Sequence, residues 1–345
     1  MVTTAAVAAR ETPLPSPAGF RPPLTERILS RLPGPRLALL VGWGLLPFAA
    51  YELAYAVQPW PSYMGITSNL MFGLVNLLGL WGVARLAGRV EQLQPTLTRL
   101  VPPDRSDHGP LPFRHVGNIW GPLAISAAIT LTWDLFDFVM YPSPVTALLV
   151  GVIFVAQLGI TTFLWVYGSV LFGLDRLGRR PLRLEPFETD PHLGLKNLGS
   201  LAFESFLLAG AMVAPLLIVS ATDTRAFAGS LIVLIVVGSL FFLSAASLHR
   251  TLAKAKAVHV RRARWLVGVA LEPVSGLAEP IDPAAARSAL DAATSRLAAS
   301  VEIERRALAV QDWPFDAAIL RTVVAILTSA TAAIAARLLL SRFGI

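Results

Sequence analysis

Four carboxylates stand inside long apolar stretches of this 345-residue chain, where an ionised side chain is costly. They are Glu52, Asp134, Asp137 and Glu204. On insertion scales a charge near the membrane centre costs about 2.5–3.5 kcal/mol, so such groups persist where they face protein or water. Asp134 and Asp137 are spaced i, i+3 and therefore share one helix face. A group of acids in such a setting predicts a site that concentrates cations or passes protons.

Glu52 and Asp134 lie in similar local sequences. Tyr51–Leu53 precedes the turn Trp60–Ser62, and Trp133–Leu135 precedes the turn Tyr141–Ser143 about 80 residues later. Chance explains so short a match as well as duplication does. With duplication, two helical hairpins would be related by rotation about the membrane normal. Packing of those hairpins would gather the acids at one level of the outer leaflet.

Amide side chains accompany the acids in neighbouring apolar stretches. Small and amide residues recur every three or four positions along one helix face at Gly65, Asn69, Gly73, Asn76 and Gly79. Gln157 lies in the middle of a later stretch. Small residues let helices approach closely, and interhelical amide bonds contribute about 0.6–2 kcal/mol each, so helix packing is the favoured interpretation. The alternative is that these groups line a path for an ion or solute.

The acids also have a purely structural interpretation. They can be hydrated near the membrane surface, or bonded to neighbouring Tyr, Trp and Asn donors. The sequence contains no cysteine, and none of the Walker A, GxGxxG, GxSxG or deaminase signatures. We therefore expect no cofactor and no metal site. No catalytic motif supports a third possibility, an intramembrane enzyme that acts on lipid.

The composition requires elements that dissolve in lipid. Hydrophobic residues make up 54% and charged residues 15%, with a mean hydropathy of +0.62. Globular chains carry about 25% charged residues, so an all-α, polytopic membrane protein is predicted. Asp190-Pro191 is typical of a helix start before the fifth span. Seven spans are expected, at Leu37–Val57, Gly65–Ala87, Asn118–Met140, Val145–Gly173, Leu198–Ser220, Phe227–Leu248 and Ala317–Leu340.

The distribution of basic residues predicts the orientation. Most of the 29 Lys and Arg residues precede the first span or follow the second, fourth and sixth. Because positive residues collect in cytoplasmic loops, the N-terminus is predicted inside and the C-terminus outside a bacterial inner membrane. The net charge of +7 then reflects topology and not nucleic-acid binding.

Four regions follow from these patterns. Residues 1–35 form a disordered basic cytoplasmic arm, and residues 36–249 form a domain of six helices in three hairpins. Residues 250–312 form a cytoplasmic helical hairpin, and residues 313–345 hold the seventh span. The second hairpin helix carries an apolar stripe, made of Leu290, Ala293, Leu297, Val301 and Leu308.

Two functions are compatible with this plan. The first is transport, by a channel or secondary transporter for a small cation or a proton-coupled solute, through the acidic and amide residues. The second is a non-enzymatic membrane sensor or scaffold. In that case residues 250–312 bind a cytoplasmic partner or form a homo-oligomer.

Overall fold

The protein is helical throughout the part of the chain that the computed structural model describes. That part comprises residues 20–57, 66–101, 112–134, 139, 142–187, 190–219, 224–275, 283–315, 318–319, 321–326, 328–329 and 332. No strand occurs among these residues, which confirms the all-α class. The helices are α1 Leu24–Leu29, α2 Arg36–Val57, α3 Ile66–Leu100, α4 Trp120–Ile129, α5 Pro144–Gly178, α6 Lys196–Val219, α7 Thr224–Ser275 and α8 Pro283–Ala309.

Five of these helices, α2, α3, α5, α6 and α7, are long and apolar enough to cross a bilayer. They suit a multi-pass membrane protein. The predicted third span has a different form, because α4 has ten residues and gives way to a π turn at Thr130–Asp134. Thr132, within the π turn, donates its hydroxyl to the Ala128 and Ile129 carbonyls (2.8 and 3.0 Å). Most of the predicted seventh span lies outside the described residues.

Helices α3 and α5 occupy the centre of the bundle. Both pack against α2 and against each other, while α6 packs on α3, and α4 and α7 pack on α5. On one face of each helix the apolar residues recur at helical spacing and are fully buried, as at Leu80, Val83, Leu86, Val170 and Leu174. Because both helices bury side chains along their whole length, they position the groups on every neighbouring helix.

The ends of two spans show how local sequence sets the helix boundaries. Ser143 caps α5 by accepting the Thr146 amide N–H at 3.1 Å, and Pro144 occupies the first helical position. The predicted cap at Asp190 is wrong, because α6 begins six residues later. Asp190 instead accepts the backbone N–H groups of His192 and Gly194 (2.9 and 2.7 Å) and closes a turn before the helix.

The arm predicted as disordered is ordered at its C-terminal end. Residues 20–35 contain α1, which packs on α3 and α5. Arg27 donates to the Gly117 carbonyl at 2.7 Å, and Glu26 pairs with Arg36 at 2.5 Å. Two of the basic residues in this region, Arg27 and Arg36, are therefore paired with a carbonyl and a carboxylate oxygen. Residues 1–19 lie outside the described part of the chain.

Helices α7 and α8 form an antiparallel pair, as the sequence predicts. Arg264 pairs with Glu304 at 3.2 Å, and Lys256 pairs with Asp312 at 3.2 Å. The residue nearer the start of α7 pairs with the residue later in the chain, so the two segments run in opposite directions. We call residues 249–312 the helical hairpin from here on.

Candidate functional site

Glu52 bonds directly to one of the predicted amides. The Asn69 side-chain amide on α3 donates to the Glu52 carboxylate on α2 at 2.9 Å. Asn69 is buried, and its carbonyl oxygen Oδ1 has no hydrogen-bond partner within the described part of the chain. The contact satisfies an acid in an apolar span and joins the first two long helices.

Asn76 lies two turns further along α3 and bonds to the backbone of α2. Its amide donates to the carbonyl oxygens of Trp43 and Gly44 (3.1 and 3.4 Å). Pro47 in α2 has no N–H, so the Trp43 carbonyl four residues earlier loses its usual helical donor. Asn76 replaces that donor. Its position is therefore explained by helix packing around a proline.

The small residues near these amides allow the same helices to approach closely. A Cβ added at Gly79 of α3 would lie 3.2 Å from the Gly159 carbonyl oxygen of α5, and one at Gly44 would lie 2.7 Å from Leu77. A Cβ added at Gly73 would lie 3.3 Å from the Phe48 side chain. The part of the stripe from Asn69 to Gly79 thus lies in tight interfaces, the arrangement expected where backbones pack without bulky side chains, whereas Gly65 lies outside the described residues.

Asn76 and Gln157 line one small cavity between α2, α3 and α5. Its volume is about 10 Å³, which is about the room that one water molecule needs. Its other lining residues are Pro47, Tyr51, Phe72, Ile153, Ala156 and Ile160. The accessible wall of the cavity is apolar, and the cavity is too small for a solute larger than water in this conformation.

Glu204 lies apart from this cluster, at the contact between α3 and α6. It accepts hydrogen bonds from Arg85 and from Arg89, the latter at 3.0 Å, and Arg89 also donates to Ser200 at 2.9 Å. Arg85 is sixteen positions after Asn69, or about 24 Å along the helix. The predicted pathway set therefore splits into two groups. The side chain of Asp134, and all of Asp137, lie outside the described residues.

The outer faces of the helical hairpin carry a second set of chemical groups. Val258, Trp265 and Val269 are exposed on α7, and Trp265 keeps 65% of its surface accessible. Lys254 and Arg261 are exposed within the same stripe, at spacings of three and four residues. On α8, Leu290, Val301 and Leu308 are exposed, although Ala293 of the predicted stripe is buried against α7. Hydropathy alone does not show which of these apolar residues the pairing of α7 and α8 leaves exposed.

The base of the hairpin is fixed to the bundle. Trp313 stacks on His249 with ring centroids 4.2 Å apart, and the Gln311 N–H donates to the Pro191 carbonyl at 3.0 Å. Phe315 is buried and stacks on Phe241 of α7 at 5.7 Å. The chain after α8 therefore returns to the core of the bundle, so a force on the hairpin reaches the spans directly.

A cleft of about 480 Å³ opens where the hairpin meets the segment before α6. Phe187 contacts His259 with ring centroids 5.0 Å apart on its wall, beside Arg262 and Glu185. The turn that supports this wall is closed by Asp190. Partial burial would raise the pKa of Asp190, but the N–H groups of His192 and Gly194, with the His192 ring, outweigh burial and lower that pKa below its ordinary value.

Metal-binding geometry does not occur in the part of the chain described. No group of three or more His, Cys, Asp or Glu side chains there is arranged to hold an ion. No known protein family, curated protein sequence or solved structure matches this chain.

Proposed function

We propose that this protein is a membrane scaffold or sensor that presents its helical hairpin to an acidic partner outside the bilayer. The observation that supports this most strongly is the continuity of α7. That helix has 52 residues, or about 78 Å at 1.5 Å per residue, against the roughly 30 Å needed to cross hydrocarbon. Its apolar segment ends near Leu248, so about 40 Å of helix extends beyond the membrane.

The chemistry of the projecting stripe defines the partner. Lys254, Val258, Arg261, Trp265 and Val269 follow one another at four, three, four and four residues on the exposed face of α7. Such an arrangement combines an aromatic anchor with flanking cations, the composition found at protein-binding sites. A helix with an apolar face and flanking Asp or Glu residues complements it in shape and in charge.

A second copy of the chain is a poorer occupant of this stripe. Two copies in one membrane leave it in the same direction, so equivalent α7 stripes would pair in parallel. Lys254 would then face Lys254, and Arg261 would face Arg261. Like charges placed together across an interface are costly, whereas an acidic partner gains from the same two positions.

Site-specific photocrosslinking in cells tests this proposal. A photoreactive amino acid at Val269 is expected to give a protein adduct, whereas the same probe at Leu164, a similarly exposed position within the α5 span, is not. The adduct should disappear when Lys254 and Arg261 are both changed to Glu. An adduct with a second copy, an adduct with lipid alone, or an adduct that survives the charge reversal would refute the acidic-partner proposal.

A second candidate function, transport of a small cation or proton, is favoured by the bonded Glu52–Asn69 pair and the nearby cavity. That cavity, which Asn76 and Gln157 help to line, lies further into the bundle along the two helices that carry the pair. Flux into liposomes tests this. The transport proposal requires that Glu52→Gln, and Asp134→Asn with Asp137→Asn, lower the flux at least tenfold while Glu302→Gln on the hairpin leaves it unchanged. Equal flux in all variants excludes it.

A further inference from the structure

Two guanidinium groups converge on one carboxylate at the edge of the spans. Arg85 and Arg89, one turn apart on α3, both donate to Glu204 on α6. Ser200, one turn before Glu204, accepts a further bond from Arg89 at 2.9 Å. Lys196 lies exposed one turn before Ser200 on the same face of α6. Three cations and Glu204 therefore lie along the contact of α3 with α6, which we call the α3–α6 groove, with positive charge in excess among these four residues.

The position of the groove along α3 places it at headgroup level. The apolar part of α3 begins at Ile66, and Arg85 follows it by nineteen residues, or about 28 Å. That length is close to the hydrocarbon thickness of a bilayer, about 30 Å. Trp81, one turn nearer the membrane centre, is 52% exposed, and indole rings prefer the boundary between hydrocarbon and headgroups.

The groove is open to a ligand from the membrane side. The Arg85 side chain is 56% exposed although it is paired with Glu204. A Cβ added at Gly88, between the two arginines in sequence, would meet no atom within 4 Å. The exposed part of the Arg85 side chain is therefore accessible to a phosphate, and acyl chains would lie against Trp81, one turn away.

We propose that the α3–α6 groove binds the phosphate of an anionic phospholipid. Arg85, Arg89 and Lys196 would supply charge-assisted donors to the phosphate oxygens, and Glu204 would hold the arginines in place. The distribution of basic loops predicts that this groove is on the cytoplasmic side. Basic pockets between helices on that side commonly bind anionic headgroups. The proposal is independent of any partner for the hairpin.

Thermal unfolding of the full chain in neutral detergent tests the proposal. Titration with phosphatidylglycerol is expected to raise the unfolding temperature with saturation, because a ligand of the folded state stabilises it. Phosphatidylcholine and inorganic phosphate serve as the zwitterionic and water-soluble comparisons, and neither should reproduce the effect. Equal stabilisation by phosphatidylcholine would show that no anion site exists, and equal stabilisation by inorganic phosphate would show that the ligand is not a lipid.

Variants locate the effect in the groove. Arg85→Gln is expected to raise the apparent dissociation constant for phosphatidylglycerol about fivefold, the effect of one cation near a membrane surface. Arg85→Lys should restore most of the affinity. The matched control is Arg99→Gln, the same change at an exposed position in the last turn of α3.

Lys196→Gln provides a second test should Arg85→Gln fail to fold, since Lys196 is the exposed first residue of α6. It is expected to weaken phosphatidylglycerol binding by a similar factor. If Arg99→Gln weakens binding as much as either groove variant, general surface charge explains the effect and the site is refuted.

Discussion

Ala307→Leu should loosen the helical hairpin without disturbing the membrane spans. Ala307 on α8 is fully buried, and Ala263 on the facing side of α7 keeps only 1% of its surface. Alanines at these positions let the two helix backbones approach closely, so three extra carbon atoms have no space. Inserting carbon atoms into a packed interface typically costs about 1–3 kcal/mol. Each 1.4 kcal/mol is a factor of ten, so the opening equilibrium of the hairpin should rise about 5–150-fold.

Hydrogen exchange of the full chain in nanodiscs measures this opening. Amides of α8 should exchange faster by that factor in Ala307→Leu, while those of α3 and α5 keep their protection. Ala299→Leu is the matched control, because it makes the same change at an exposed position on the same helix. Equal exchange in the two variants would refute the inference that buried alanines hold the pair together.

Two further predictions concern the bundle and the turn before α6. Gly79→Leu should separate α3 from α5, because the new Cβ alone would lie 3.2 Å from the Gly159 carbonyl oxygen, and it should lower the free energy of unfolding by at least about 1–3 kcal/mol. The control is Gly88→Leu, whose side chain meets open space. Equal unfolding temperatures of the two variants in a detergent thermal melt would contradict this packing. Asp190→Ala should destabilise the protein above about pH 4, the ordinary pKa of aspartate. Because the folded-state pKa of Asp190 is lowered, this difference should shrink as the pH falls below about 4 toward the lowered folded-state pKa. A difference in unfolding temperature that does not change from pH 7 to pH 3 would be contrary evidence.

Much of the fold could be predicted from hydropathy and breakers. The starts of α2, α3 and α5 lie within a residue of the predicted spans, and the pair α7 and α8 is joined where proline and glycine accumulate. The features that the sequence did not predict depend on helix form and on contacts between residues far apart in the chain. Hydropathy does not predict the change from α-helix to a π turn after Ile129, nor the contact of residues 20–35 with the bundle, where Arg27 bonds to the Gly117 carbonyl far along the chain.

The candidate site divided for a similar reason. Hydropathy identifies Glu52 and Glu204 as acids in apolar spans, but it does not predict which residues bond to them. Glu204 meets two arginines because α3 runs alongside α6: Arg85 lies inside the predicted span, and Arg89, beyond its predicted end, is still helical. Asn76 bonds to α2 because Pro47 leaves a carbonyl without its donor. Both contacts depend on helix register, which one sequence does not reveal.

The position of α7 relative to the bilayer tests the scaffold account most directly. The chain has no cysteine, so spin labels at Leu243→Cys and Trp265→Cys, two exposed positions of α7, are unambiguous. A continuous helix places them about 33 Å apart, measurable by pulsed electron resonance. The account predicts that distance in nanodiscs, with Leu243 accessible to oxygen and Trp265 to a water-soluble nickel complex. A much shorter distance, or a lipid-immersed label at Trp265, would contradict the projecting hairpin.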